Sequence, residues 1–122
     1  MCQLFSEPMK VKSKIAYKVV AKEGNSYYSA FLDIPLQTDK IEEAVCTQKD
    51  DIPEYIGFHA SSLTIAKKNL KFFKSVYPND TYRIIKVKLL GIITKGYEDM
   101  DMKEVSYKAN KQLFIEEYIG EL

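Results

Sequence analysis

The sequence predicts an α+β domain, a mainly antiparallel, twisted β-sheet with one principal amphipathic helix packed on it. Three stretches carry that expectation. KIAYKVVAK, then Glu23-Gly24-Asn25-Ser26, then YYSAFL has the pattern of two β-rich runs around residues that tolerate positive φ, which is a hairpin over residues 14–32. In SSLTIAKKNLKFFKSV, the residues Leu63, Ala66, Leu70, Phe73 and Tyr77 recur at spacings of three and four, one face of a helix. YRIIKVKLLGIIT alternates Ile85, Val87 and Leu89 against Lys86 and Lys88, the strongest strand signal in the chain.

Taken in order, residues 1–12 form a lead-in or an added edge strand, and Pro8 favours the edge because it cannot donate to a ladder. On the first hairpin strand Ile15, Tyr17 and Val19 share a face. On the second, Tyr28, Ala30 and Leu32 share one face while Tyr27, Ser29 and Phe31 share the other, so both faces carry aromatics. Pro35 ends that strand. Residues 36–53 scatter acidic groups among few apolar anchors and allow only a short strand around residues 44–47. Residues 55–60 form a short apolar run, after which Ser61 or Ser62 can cap a helix opening at Ser62 and closing at Val76. Ile65, Phe72 and Val76 broaden its apolar stripe, Lys67, Lys68, Lys71 and Lys74 take the wet side, and Pro78-Asn79-Asp80 stops it. The strand over residues 82–94 contains Gly91, a bulge or close-packing point. Residues 95–104 are an acidic loop. Residues 112–118 are read as a strand, although Leu113, Phe114 and Ile115 are consecutive and leave a helix open.

Composition limits the function classes. With 46% hydrophobic and 29% charged residues in 122, the chain reads as one globular domain over residues 1–122 that needs no disulfide or metal to fold. Eighteen basic against seventeen acidic side chains leave a net charge of +1, which disfavours nucleic-acid binding through bulk charge. No apolar run approaches the roughly 20 residues of a membrane span, the start lacks a signal-peptide core, and Cys2 and Cys46 read as reduced, so a cytoplasmic protein is expected.

Most catalytic constellations are missing from the sequence. The five glycines are isolated, one histidine and two distant cysteines assemble no zinc set by spacing, and no Gly-x-Ser-x-Gly elbow occurs. No metal and no cofactor is expected. What remains is Gly57-Phe58-His59-Ala60-Ser61-Ser62, a strand end running into a helix N-terminus, where backbone donors and hydroxyls can hold an anion with His59 at the edge. Arg83, the only arginine, and Tyr28 complete the candidate ligand-binding set His59, Ser61, Ser62, Arg83 and Tyr28. The alternative is that the serines only cap the helix and His59 is a half-buried strand residue. Cys2, exposed by removal of Met1, could act as an N-terminal nucleophile or be only a small residue at a chain end. The nine tyrosines could form a stacking surface or pack their rings inward. Glu98, Asp99, Asp101 and Glu104 could mimic phosphates or be only a solvated turn.

The order Ala16-Tyr17-Lys18-Val19-Val20, Tyr28-Ser29-Ala30, Gly57-Phe58-His59-Ala60, Ala66-Lys67, Tyr82-Arg83-Ile84, Lys86-Val87 and Gly91 resembles a loosely defined family of small uncharacterised bacteriophage and prophage proteins. The glycine-aromatic-His-x-Ser stretch with its following helix and strand also resembles the centre of ADP-ribosyltransferase-like folds. There the sequence departs: Tyr17 and Lys18 stand where that likeness would put a His or Arg motif for NAD, and Glu116 and Glu117 are the only candidates for its glutamate. The resemblance implies a small intracellular, non-enzymatic binding protein of phage or mobile-element type, one that inhibits a host defence factor or sequesters a small ligand. Its partner would be a host protein or a small anionic or nucleotide ligand, with no membrane involved. The alternative is a nucleotide-acting enzyme of ADP-ribosyltransferase type, using the mouth of the Ser61/Ser62-capped helix. Edge-strand pairing offers a route to a homo-oligomer.

Overall fold

A computed structural model describes residues 4–30, 35–43, 46–49, 52–55 and 58–120. Its elements follow one another as β1 (Leu4–Pro8), β2 (Ser13–Glu23), β3 (Ser26–Ser29), β4 (Glu42–Glu43), β5 (Cys46–Lys49), β6 (Ile52–Tyr55), β7 (Phe58–Ser61), α1 (Leu63–Val76), β8 (Tyr82–Tyr97) and β9 (Val105–Glu117). The fold is the expected α+β arrangement, and every pairing between named strands is antiparallel. Strands β5 and β6 form a separate two-stranded ribbon. Residues 31, 32, 44, 45, 56 and 57 lie outside the described residues, and with them the far end of the hairpin strand, part of the short strand expected at 44–47, and Gly57.

The large sheet is more than an open one. Strand β8 pairs with β2 along one edge and β9 along the other, and β7 bridges β2 and β9 from behind, through Tyr17↔Ser61 on one side and Phe58–Ser61 on the other. The pairings therefore close a circuit β8–β2–β7–β9–β8. Sixteen residues at about 3.3 Å each make β8 too long to remain flat, since strand twist accumulates along it. Two register shifts against β9 help it curl, one between Lys86 and Val87 and one between Leu90 and Ile93. Gly91 sits at the second with φ 82°, and a Cβ there would collide with Asn110 Oδ1, the atom that accepts the Ile92 N–H at 2.8 Å. Gly24, at φ 60°, opens the two-residue turn between Glu23 and Ser26, which gives β2–β3 the geometry of a II′ hairpin.

Curling gives the sheet an inner and an outer face. Ala16, Val20, Ala60, Ile85, Val87, Leu89, Ile93 and Ala109 fill the inner one, with Phe58, Tyr27 and Phe114 against them. On the outer face Ala66, Leu70 and Phe73 of α1 bury against Val19, Tyr82 and Ile84. Ser62 caps α1 by accepting the Ile65 N–H at 3.4 Å, and Tyr77, before Pro78, closes it, matching the expected helix within one residue. The buried stripe is narrower than the expected one. Phe72, Val76 and Tyr77 are exposed, because α1 touches one sheet face and has nothing on its far side among the described residues. Strand β1 lies at the edge against β8 with Pro8 as its last residue.

Strand β8 runs three residues beyond the expected boundary at Thr94, to Tyr97, and the acidic residues lie in the turn that joins it to β9. Asp99 Oδ1 accepts the Lys103 and Glu104 backbone N–H groups at 3.0 and 2.8 Å, which folds the turn on itself. Glu104 forms an ion pair with Lys68 of α1, and Glu98 is hydrogen-bonded by Asn69. Three of the four acidic groups are thus engaged inside the molecule.

Candidate functional site

The helix mouth is built from the last residues of β7 and the first turn of α1. Ser62 spends its oxygen on the Ile65 N–H. Ser61 is only 4% exposed, and its one hydroxyl proton faces two backbone carbonyls, Ser62 O at 3.1 Å and Tyr17 O at 3.5 Å. His59, across from Lys108 on β9, has its imidazole pushed down to about 4, first by burial and then by the positive charges of Lys108 and Lys18. It is a neutral ring at neutral pH. These three residues stand together, with two hydroxyls directed into the protein's own backbone and an imidazole that carries no charge.

Arg83 and Tyr28 stand elsewhere. Tyr28 pairs with Ala21, four residues along β2 from the Tyr17 that faces Ser61, a separation of about 13 Å along the strand. Arg83 pairs with Val20 and so belongs to the inner face, with the sheet between it and α1. There it joins Lys22, Tyr27 and Glu117, which the expected ligand-binding set did not include. Glu117 Oε1 accepts from Lys22 Nζ at 3.1 Å and from the Tyr27 hydroxyl at 3.3 Å, with Arg83 Nε at 3.9 Å. Arg83 Nη1 also donates to Tyr82 O at 3.0 Å, and Lys22 Nζ lies 5.5 Å from the Tyr27 ring centroid. The Tyr27 hydroxyl is pushed up by burial and then by Glu117. This rim is a mutually satisfied cluster.

Deeper on the same face is a second polar station that is not satisfied. Lys18 follows Ala16 and precedes Val20 on the inner side of β2, and its Nζ donates to Gln112 Oε1 at 3.3 Å. Gln112 faces Leu89 across β9–β8 and is 1% exposed. Its Nε2 has no hydrogen-bond partner among the described residues. Exchanging the amide O and N would turn a donor toward the ammonium, so Lys18 fixes the orientation. Burial pushes Lys18 down to about 8, partly offset by Glu42. Glu42, opposite Gln112 on β4, is within electrostatic reach but uses Oε1 to accept the Gln37 N–H at 3.1 Å. Among the described residues Lys18 therefore has no contacting carboxylate.

The rings of Tyr17, Tyr27, Tyr82 and Tyr118 pack against other aromatic rings, whereas Tyr77 is exposed. Tyr17 meets Tyr118 edge-on at 6.1 Å, Tyr27 meets Phe114 at 5.5 Å and Tyr82 meets Phe73 at 5.0 Å. Cys2 lies outside the described residues. No group of three or more His, Cys, Asp or Glu among the described residues is arranged to hold a metal ion, and no helix among them is long and apolar enough to cross a membrane.

The signal for Lys18 was present but faint. Ala16, Lys18, Val20 and Lys22 alternate with Tyr17, Val19 and Ala21, so a strand apolar on both faces carries lysines on one of them. No protein-family model, no curated protein and no solved structure matches the chain.

Proposed function

We propose that this is a non-enzymatic binding protein that sequesters a small anionic ligand on the inner face of its curled sheet. One observation carries the reading: among the described residues Lys18, a partly buried cation, has no contacting counter-ion and stands beside the buried Gln112 Nε2, a donor with no acceptor there. A buried donor left unpaired costs about 1–3 kcal/mol, and a desolvated charge costs more. An anion placed between the two groups relieves both costs, and only when it is bound. Sequestration needs binding alone, which suits the resemblance to small phage and prophage proteins. Removing an anionic signal from a host is one way for such a protein to inhibit a defence factor.

A panel of phosphate, nucleotides and carboxylates read by thermal shift tests this. A ligand at 100 times its Kd adds about 2.7 kcal/mol to stability. The shift is expected to vanish in Lys18→Met and to survive Ser62→Ala, which touches only the helix cap. No shift with any anion, or a shift indifferent to Lys18→Met, sinks the reading.

A further inference from the structure

We infer that the anion is a monocarboxylate, seated with one oxygen on Lys18 Nζ and the other on Gln112 Nε2. The inference rests on the binding reading above and sharpens it to a ligand class.

The donors set the valence of the ligand. Lys18 Nζ spends one N–H on Gln112 Oε1, and the amide nitrogen of the same side chain is the orphan donor. The seat therefore offers an ammonium N–H and a planar amide N–H held side by side by one hydrogen bond. Two adjacent donors match the two oxygens of a carboxylate. A phosphate would present a third oxygen and more charge. The third oxygen finds apolar surroundings, because Leu89 and Val87 are the cross-strand neighbours of Gln112 and Phe114.

Charge points the same way. Lys18 is the one cation in contact with the seat among the described residues, and Glu42 lies within electrostatic reach of it. Of the other cations on this face, Lys22 and Arg83 are engaged with Glu117 at the rim, and Lys14 lies over the Tyr107 ring with its Nζ 5.3 Å from the centroid. A single negative charge balances Lys18. A dianion would leave one negative charge uncompensated in a poorly solvated place and would meet Glu42 as well.

Three proteins decide the matter: the full chain, Gln112→Met, which keeps the side-chain volume but deletes the donor, and Lys18→Met. Acetate, propionate and benzoate, each titrated to millimolar concentrations, are compared with phosphate, AMP and chloride. The carboxylates are expected to raise the Tm of the full chain by a few degrees at saturation, to move the Gln112 side-chain amide resonance in a 15N spectrum, and to do neither to the two variants. Stabilisation by phosphate or AMP but not by carboxylates overturns the carboxylate and leaves the binding reading standing. Carboxylate stabilisation with an unmoved Gln112 amide overturns the seat. No response to any anion overturns both, and leaves Gln112 Nε2 to an ordered water. If Gln112→Met does not fold, the amide resonance of the full chain still separates these outcomes.

Discussion

Strand β2 presents two faces that solve the same burial problem differently. On the outer one Tyr17, Val19 and Ala21 lie under α1 beside apolar neighbours, and the polar groups nearby are turned to backbone or held neutral: Ser61 to carbonyls, Ser62 to the Ile65 N–H, His59 uncharged. On the inner one Ala16 and Val20 alternate with Lys18 and Lys22, and a buried glutamine keeps one donor unpaired. A face that served packing alone would not carry that cost, since apolar residues of the same size relieve it. On the proposal above, the outer face serves packing alone, and the inner face packs the core and also holds the ligand. Substitutions should separate them by sign and by size.

The largest effect is expected on the outer face. Leu70 is fully buried between α1 and the sheet. Leu70→Ala removes its packing and leaves a cavity, so a loss of about 2–5 kcal/mol is expected in denaturant unfolding, with anion binding unchanged once the protein is folded. Loss of anion binding in the folded variant would show that the two faces are coupled and the contrast false.

Next comes the acid limb. His59 titrates near 4 in the folded chain against 6.5 unfolded, so below 6.5 the unfolded chain binds a proton that the folded chain does not. Stability should fall as the pH drops from about 6.5 to about 4, by at most about 3 kcal/mol and by less to the extent that the half-buried ring keeps water. His59→Asn should flatten that limb. An unchanged slope between pH 7 and 4 would mean that His59 is solvated and free to charge, restoring it as a candidate for anion binding.

How far the sequence showed these faces depends on what each element needs from its neighbours. The helix was legible because its signals are local, a serine cap before and a proline after. Strand β8 was legible because its alternation survives until Gly91, where the bulge falls. The final strand was ambiguous for a physical reason: Lys86 pairs with Glu116 and Val87 with Phe114, so Ile115 is the extra residue of a bulge, and it breaks the period between two regular stretches. Arg83 and Tyr28 do not lie beside His59, Ser61 and Ser62 because strand register decides position and face, and register depends on partners distant in sequence. Lys18 is enclosed only once β8, β9 and β7 curl around it, which the β2 sequence by itself shows only faintly. Gln112 carried no signal, since an amide in a strand becomes conspicuous only when its neighbours withdraw the water.

A smaller effect belongs to the cap. Ser62→Ala removes the acceptor of the Ile65 N–H and should cost about 1 kcal/mol, with binding intact. A loss of binding here would return the anion to the helix mouth and reverse the assignment of the two faces.

The smallest effect is the most discriminating. Gln112→Met deletes an unpaired buried donor, which stabilises, and deletes the acceptor of a Lys18 N–H, which destabilises. Each contribution is of order 1–2 kcal/mol, so the net change should stay within about 1 kcal/mol even though the side chain is fully buried. An outer-face deletion of similar burial, Leu70→Ala, costs several times that. Near-neutral stability together with lost carboxylate binding is what a functional polar group in a core should show, because its orientation is maintained for the ligand and not for the fold. A loss above about 2 kcal/mol would instead mean that the amide already holds a structural partner such as an ordered water, and the inner face would then be structural like the outer.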